Sequence, residues 1–154
     1  MSSWLSVDIL GSGTSTGVPV LTCDCAVCLS PSIKNKRTRS SILLRFQESG
    51  KHFVIDTTPD FRQQLLRLQI KTLDQVLYTH THADHCHGFD DLRAYTFRKR
   101  DEALTCWLAP EHHDDLVTRF SYAFMETGYE GSAPRVALSF LDATPLLIGG
   151  HEVH

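Results

Sequence analysis

Short apolar runs separated by polar, glycine-bearing or proline-bearing segments punctuate the chain, and they predict alternating strands and helices. Val7-Asp8-Ile9-Leu10 reads as a first strand, and the glycine-rich stretch Gly11 to Gly17 reads as a tight turn. Ser40 to Phe46 and His52 to Ile55 are β-rich and are joined by Glu48-Ser49-Gly50-Lys51, a hairpin signal. After Pro59, Asp60 is placed to cap a helix that carries Phe61, Leu65, Leu66 and Leu68 at helical spacing. Gln75 to Thr79 predicts a buried strand. A helix from Phe89 to about Arg98 follows, then a strand at Leu104 to Leu108. Pro110 fits the first turn of another helix, with the apolar stripe Leu116, Val117, Phe120 and Phe124. Val136 to Leu141 and Leu146 to Ile148 close the pattern as strands. The order is that of a layered α/β fold, with no internal repeat and no boundary between domains.

Composition narrows the class. The 154 residues suffice for one domain with a sizeable core, and 42% hydrophobic with 21% charged residues is ordinary for a globular protein. No apolar run is long enough to span a membrane, and the first residues lack the marks of a secretory signal, so a cytoplasmic protein is expected. A net charge of −3 gives no electrostatic footprint for nucleic acid, and Lys34 to Arg39, the one dense basic stretch, reads equally as a solvated loop.

The chemistry concentrates in Thr79-His80-Thr81-His82-Ala83-Asp84-His85, where four metal-ligand side chains follow a strand directly. On extended backbone, residues i and i+2 face the same way, so His80 and His82 can grip one ion. If a helix begins there, Asp84 and His85 swing toward a second. Imidazole with carboxylate suits zinc, with manganese or iron as alternatives. Two ions about 4 Å apart can bridge a hydroxide nucleophile and clamp the attacking and leaving oxygens of a hydrolysis. Cys23, Cys25 and Cys28 form a second cluster. In a chain without an export signal such thiols favour a metal over a disulfide framework, the alternative being a reduced, partly buried group.

These motifs resemble the metallo-β-lactamase superfamily, whose His-x-His-x-Asp-His signature follows a core strand. The resemblance extends through Gly11 to Pro19, the three cysteines, Arg37 to Ser41, Ile55-Asp56-Thr57, Pro59 to Arg62 and His87 to Arg93. In that order they resemble the branch containing phosphoribosyl 1,2-cyclic phosphate phosphodiesterase, with coenzyme PQQ synthesis protein B and the tRNA 3′-processing endonucleases more distant. The resemblance implies an α/β, metallo-β-lactamase-like αββα sandwich. It makes residues 1–154 the N-terminal part of one hydrolase domain, either cut short at its C-terminus or a degenerate copy.

The resemblance assigns His80 and His82 to a first metal and Asp84 and His85 to a second. Asp84 takes a catalytic part in proton handling, and Cys23, Cys25 and Cys28 hold a structural zinc. It makes Asp56 a residue that orients a ligand histidine, where the residues alone read equally as a turn-forming aspartate before Pro59. The implied activity is metal-dependent hydrolysis of a small phosphodiester, cyclic ones included. A tRNA-processing or ester-hydrolysing relative and a zinc-binding module without turnover stay open.

Family members supply further ligands beyond the strand at Leu146 to Ile148. His151 and His154 arrive too early in the pattern to be natural substitutes. A half-sandwich would leave apolar faces uncovered and favour a homodimer. Other residues have quieter expectations: His87 as a polar loop residue, His112 and His113 as solvent-exposed, Cys86 and Cys106 as small core residues, and Trp4 and Trp107 as core or interface. Arg37 and Arg39 are candidates to meet a substrate phosphate.

Overall fold

A computed structural model describes residues 4–97, 102–125, 133–142, 144–148 and 151–153. Six strands form one sheet in the order in which the chain makes them: β1 (Leu5–Gly11), β2 (Ser41–Phe46), β3 (Lys51–Ile55), β4 (Gln75–Leu77), β5 (Leu104–Leu108) and β6 (Val136–Phe140). The first three pair antiparallel, and β3 to β6 pair parallel. The change of sense follows from the connections. A tight turn with Gly50 at φ +65° joins β2 to β3, whereas helical crossovers separate the parallel strands.

Helices α1 (Phe61–Arg67), α2 (Ala83–Cys86), α3 (Arg93–Thr96) and α4 (His113–Arg119) join the strands. Phe61, Leu65 and Leu116 of these helices, with Phe89 and Leu92 of the 3₁₀ turn before α3, enclose a core with Leu43, Val54, Val76 and Cys106 of the sheet. Each of the large ones stabilises the fold by roughly 1.5–3 kcal/mol relative to exposure. A smaller cluster of Phe46, Phe53 and Ile148 involves the hairpin of β7 (Leu146–Ile148) and β8 (His151–Val153). Leu5 packs against it, whereas Val7 and Ile9, further along β1 at the same alternation, stay 52% and 60% exposed.

Several expectations shift in detail. The stretch from Phe89 is a 3₁₀ turn (Phe89–Leu92) followed by the single turn α3, and Arg98 lies outside the described residues. The buried Thr96 hydroxyl bonds back to the Arg93 carbonyl, a local bond that competes with the helical ladder. Pro110 opens a 3₁₀ turn before α4, and the helix ends at Phe120, whose ring stacks on Phe89 at 4.4 Å. Phe124 belongs to the 3₁₀ turn beyond. Asp60 precedes α1 as expected but does not cap it, because its carboxylate accepts from Arg39 N and Nη1 instead. The Gly11 to Gly17 segment is a tight turn against the Arg37–Arg39 backbone. A Cβ on Gly11 would stand 2.0 Å from the Arg39 carbonyl oxygen. Cys86 and Cys106 are fully buried, as predicted. Among the described residues no helix is long and apolar enough to cross a membrane.

Candidate metal centre

Strand β4 ends at Leu77, and the backbone turns at Asp56 and Thr79 to present the histidines. Asp56 follows β3 with φ +64°, a left-handed conformation that Asp tolerates better than most residues. This bend turns its buried carboxylate to the neighbouring loop. Oδ1 accepts the Thr79 N–H at 2.8 Å, and Oδ2 accepts the Thr79 hydroxyl at 2.7 Å and His85 Nδ1–H at 2.7 Å. Because Thr79 donates its only hydroxyl proton to Asp56, its oxygen accepts from His80 Nδ1 at 3.0 Å. The network therefore assigns the Nδ1–H tautomer to both His80 and His85 and leaves both Nε2 lone pairs available.

His82 remains extended (φ −62°, ψ 150°) and its carbonyl receives the N–H groups of His85 and Cys86, which starts α2. The His80 ring lies 4.7 Å from that of His82 and 4.0 Å from that of His85, centroid to centroid. His85 Nε2 stands 3.3 Å from Asp84 Oδ2. A lone pair facing a carboxylate oxygen at that separation repels it unless a proton or a metal cation serves both. Burial, with the neighbouring His85 and His82, holds His80 below the ordinary histidine pKa and keeps it a neutral donor. These are the donor types a divalent metal takes, and His80, His82, Asp84 and His85 would be the residues to hold it. Asp56 orients His85 directly and His80 through Thr79.

Cys23, Cys25 and Cys28 lie on a separate loop, their sulfurs all within 4.8 Å of one another. Three thiolates on one zinc would sit about 3.8 Å apart, from Zn–S bonds of about 2.3 Å in a tetrahedron. The chain supports this arrangement, since Val20 N–H points at Cys28 Sγ (3.4 Å) and Cys28 N–H at Cys25 Sγ (3.5 Å).

The remaining candidates fall elsewhere. His151 stacks on Trp4 at 4.2 Å and faces Glu48 beyond the start of β3, the end opposite Asp56, so it is not with the histidine cluster. His154 is outside the described residues. Exposed His87 meets Phe120 edge-on at 5.9 Å. His112 and His113 are half-buried rather than exposed, and His113 packs edge-on against Phe140. Arg39 is tied to Asp60 and the Ser15 carbonyl, which accounts for its guanidinium without a ligand. Trp4 is 41% exposed, and Trp107 bonds through its indole N–H to Gln75. The sequence reading missed Thr79, Thr57 and Tyr78. A hydroxyl immediately before the first histidine was the available signal for Thr79.

Comparison with known proteins gives the family. The profile of the β-lactamase superfamily domain matches residues 51–146, which contain β3 to β6 and the histidine loop. The chain belongs to the metallo-β-lactamase superfamily. A solved diphosphatase of the PhnP family is 36% identical with a TM-score of 0.82, and the match covers 96% of this chain and 54% of that one. Zn²⁺-bound PqqB from Methylobacterium extorquens has the same fold at TM-score 0.65 and 23% identity, covering 94% and 48%. An octanoyltransferase of Porphyromonas gingivalis is 44% identical over 124 residues, 80% of this chain and 24% of that protein. The chain spans half or less of most of these relatives, and slightly more than half of the diphosphatase.

Proposed function

We propose that this chain carries part of the active site of a metal-dependent hydrolase whose substrate is a small phosphodiester, including cyclic ones. One observation carries the reading: His80 and His85 are both fixed in the Nδ1–H tautomer by Asp56 and Thr79, beside His82 and with Asp84 facing His85 Nε2. Bound divalent cations, zinc by preference and manganese or iron otherwise, would polarise a phosphoryl oxygen and make water a nucleophile near neutral pH. Asp84, only partly buried at the rim of the cluster, is placed to hold and release a proton at its carboxylate. Asp56 and Thr79 keep the rings from rotating as charge develops. The phosphorus chemistry is favoured by similarity to the PhnP-family diphosphatase. The net charge of −3, with Arg39 committed to Asp60, favours a small substrate over a nucleic acid. A cytoplasmic location and a homodimer that covers the exposed β1 residues Val7 and Ile9 complete the proposal.

A zinc-binding module without turnover is the second reading, supported by the cysteine cluster. Metal analysis of the chain with an assay on bis(p-nitrophenyl) phosphate separates the two. The hydrolase reading expects two or three metals per chain and hydrolysis abolished by His82→Ala and by Asp84→Ala. A single tightly held zinc that survives both substitutions and departs with Cys25→Ser would overturn it in favour of the module.

A further inference from the structure

We propose that the Tyr78 hydroxyl, acting through Thr57, is a positioning group that sets where Asp84 and His85 stand. The inference rests on the metal-centre reading above. Tyr78 is fully buried between the end of β4 and the histidine loop. A phenylalanine would fill nearly the same volume without burying a hydroxyl, so the oxygen needs a reason to be there. Its partner is Thr57 Oγ1 at 2.9 Å, and Thr57 in turn donates to the Cys86 carbonyl at 3.3 Å. With the Thr57 proton directed to Cys86, the Tyr78 hydroxyl is the donor to Thr57.

The carbonyl so held closes α2, a helix of one turn. Such a helix cannot hold itself, and its last carbonyls lack intrahelical partners. Residue 57 therefore does for the underside of the loop what residue 56 does for its ligand side. The Thr57 carbonyl also accepts the Gly88 N–H at 2.8 Å, and the Cys86 thiol donates to the Thr81 carbonyl at 3.2 Å. Asp84 and His85 sit between these ties. Loss of the Tyr78 hydroxyl frees Thr57 to rotate and releases the carbonyl next to His85.

The test is zinc affinity of the full chain, measured by chelator competition for the zinc that His82→Ala removes, with cobalt as a spectroscopic probe. Tyr78→Phe is expected to weaken that affinity about tenfold, as loss of an outer partner of a ligand does. It should also change the visible cobalt spectrum. Thr57→Val should match it, and Thr57→Ser, which keeps the hydroxyl, should restore native affinity. Tyr95→Phe removes another tyrosine hydroxyl bond, 3.2 Å to the Ile70 carbonyl, away from the loop, and should leave both readouts unchanged. Native affinity and an unaltered cobalt spectrum in both Tyr78→Phe and Thr57→Val overturn the proposal and leave the hydroxyl a structural bond only. If His82→Ala removes no zinc from the native chain, the metal-centre reading itself fails, a result distinct from the first.

Discussion

Asp56 Oδ2 lies 2.7 Å from His85 Nδ1, across 29 positions of sequence, and the bond exists because Asp56 adopts φ +64° at the end of β3. The same oxygen accepts the Thr79 hydroxyl, so one buried carboxylate fixes two imidazoles. Asn shares the tolerance of Asp for left-handed backbone, which makes Asp56→Asn a test of charge and acceptance rather than of backbone strain. It should lower metal affinity about 10- to 100-fold while the fold persists. Zinc competition together with circular dichroism checks both halves; native affinity in the variant would remove Asp56 from the site.

Gly88 ends the histidine loop where no side chain fits. A Cβ there would meet the Thr58 carbonyl oxygen at 2.2 Å and Phe61 Cβ at 2.6 Å, and backbone cannot yield as a flexible side chain can. Gly88→Ala should therefore destabilise the chain by about 2–4 kcal/mol, the range of severe overpacking. It should also loosen metal binding, because residue 88 is bonded to Thr57. A melting temperature within about 1 °C of native, where 1 kcal/mol is worth about 2–4 °C in a chain of this size, would contradict the close approach.

The parts of this architecture that depend on local pattern were legible. Alternation and β-branched content located β2, β3, β5 and β6, and the strand leading into His80 was visible as the unbroken apolar run Val76-Leu77-Tyr78. The spacing of potential ligands announced both candidate clusters for the same reason, as the donors are neighbours in sequence. What escaped depends on contacts distant in sequence. Asp60 looked like a helix cap because a cap is local, but Arg39, 21 positions earlier, claims its carboxylate. Thr57 and Tyr78 were silent because a hydroxyl carries no motif until a partner is known, and Thr79 offered only its place before His80. The division of this segment into a 3₁₀ turn at Phe89 and the single turn α3 also escaped, because apolar periodicity does not separate i→i+3 from i→i+4 bonding.

His151 offers a negative control. Its ring is stacked on Trp4 and its Nε2 is 3.8 Å from Glu48, in a half-exposed pair of little energetic weight. His151→Ala should leave metal stoichiometry unchanged and cost no more than about 1 kcal/mol from the lost ring contact. Loss of a metal equivalent in that variant would place His151 among the ligands and contradict the arrangement of β8.

Cys25 supplies a test of the thiol cluster that needs no substitution. The Cys28 N–H, then the Cys23 and Cys28 thiols, stabilise its thiolate and lower its pKa to about 7. Burial raises the Cys86 thiol to about 11. A lowered value means the reactive thiolate is already half-formed near neutrality and is lost as pH falls below it. In chelator-treated chain, the rate of Cys25 alkylation by iodoacetamide should rise with pH through a midpoint near 7, while Cys86 stays unreactive across that range. Readdition of zinc should protect Cys23, Cys25 and Cys28 together, because one ion draws on all three sulfurs. Peptide mass spectrometry resolves each position. Protection of none would show that these sulfurs do not share an ion, and an ordinary thiol midpoint at Cys25 would contradict its contacts with the Cys28 N–H and the neighbouring thiols.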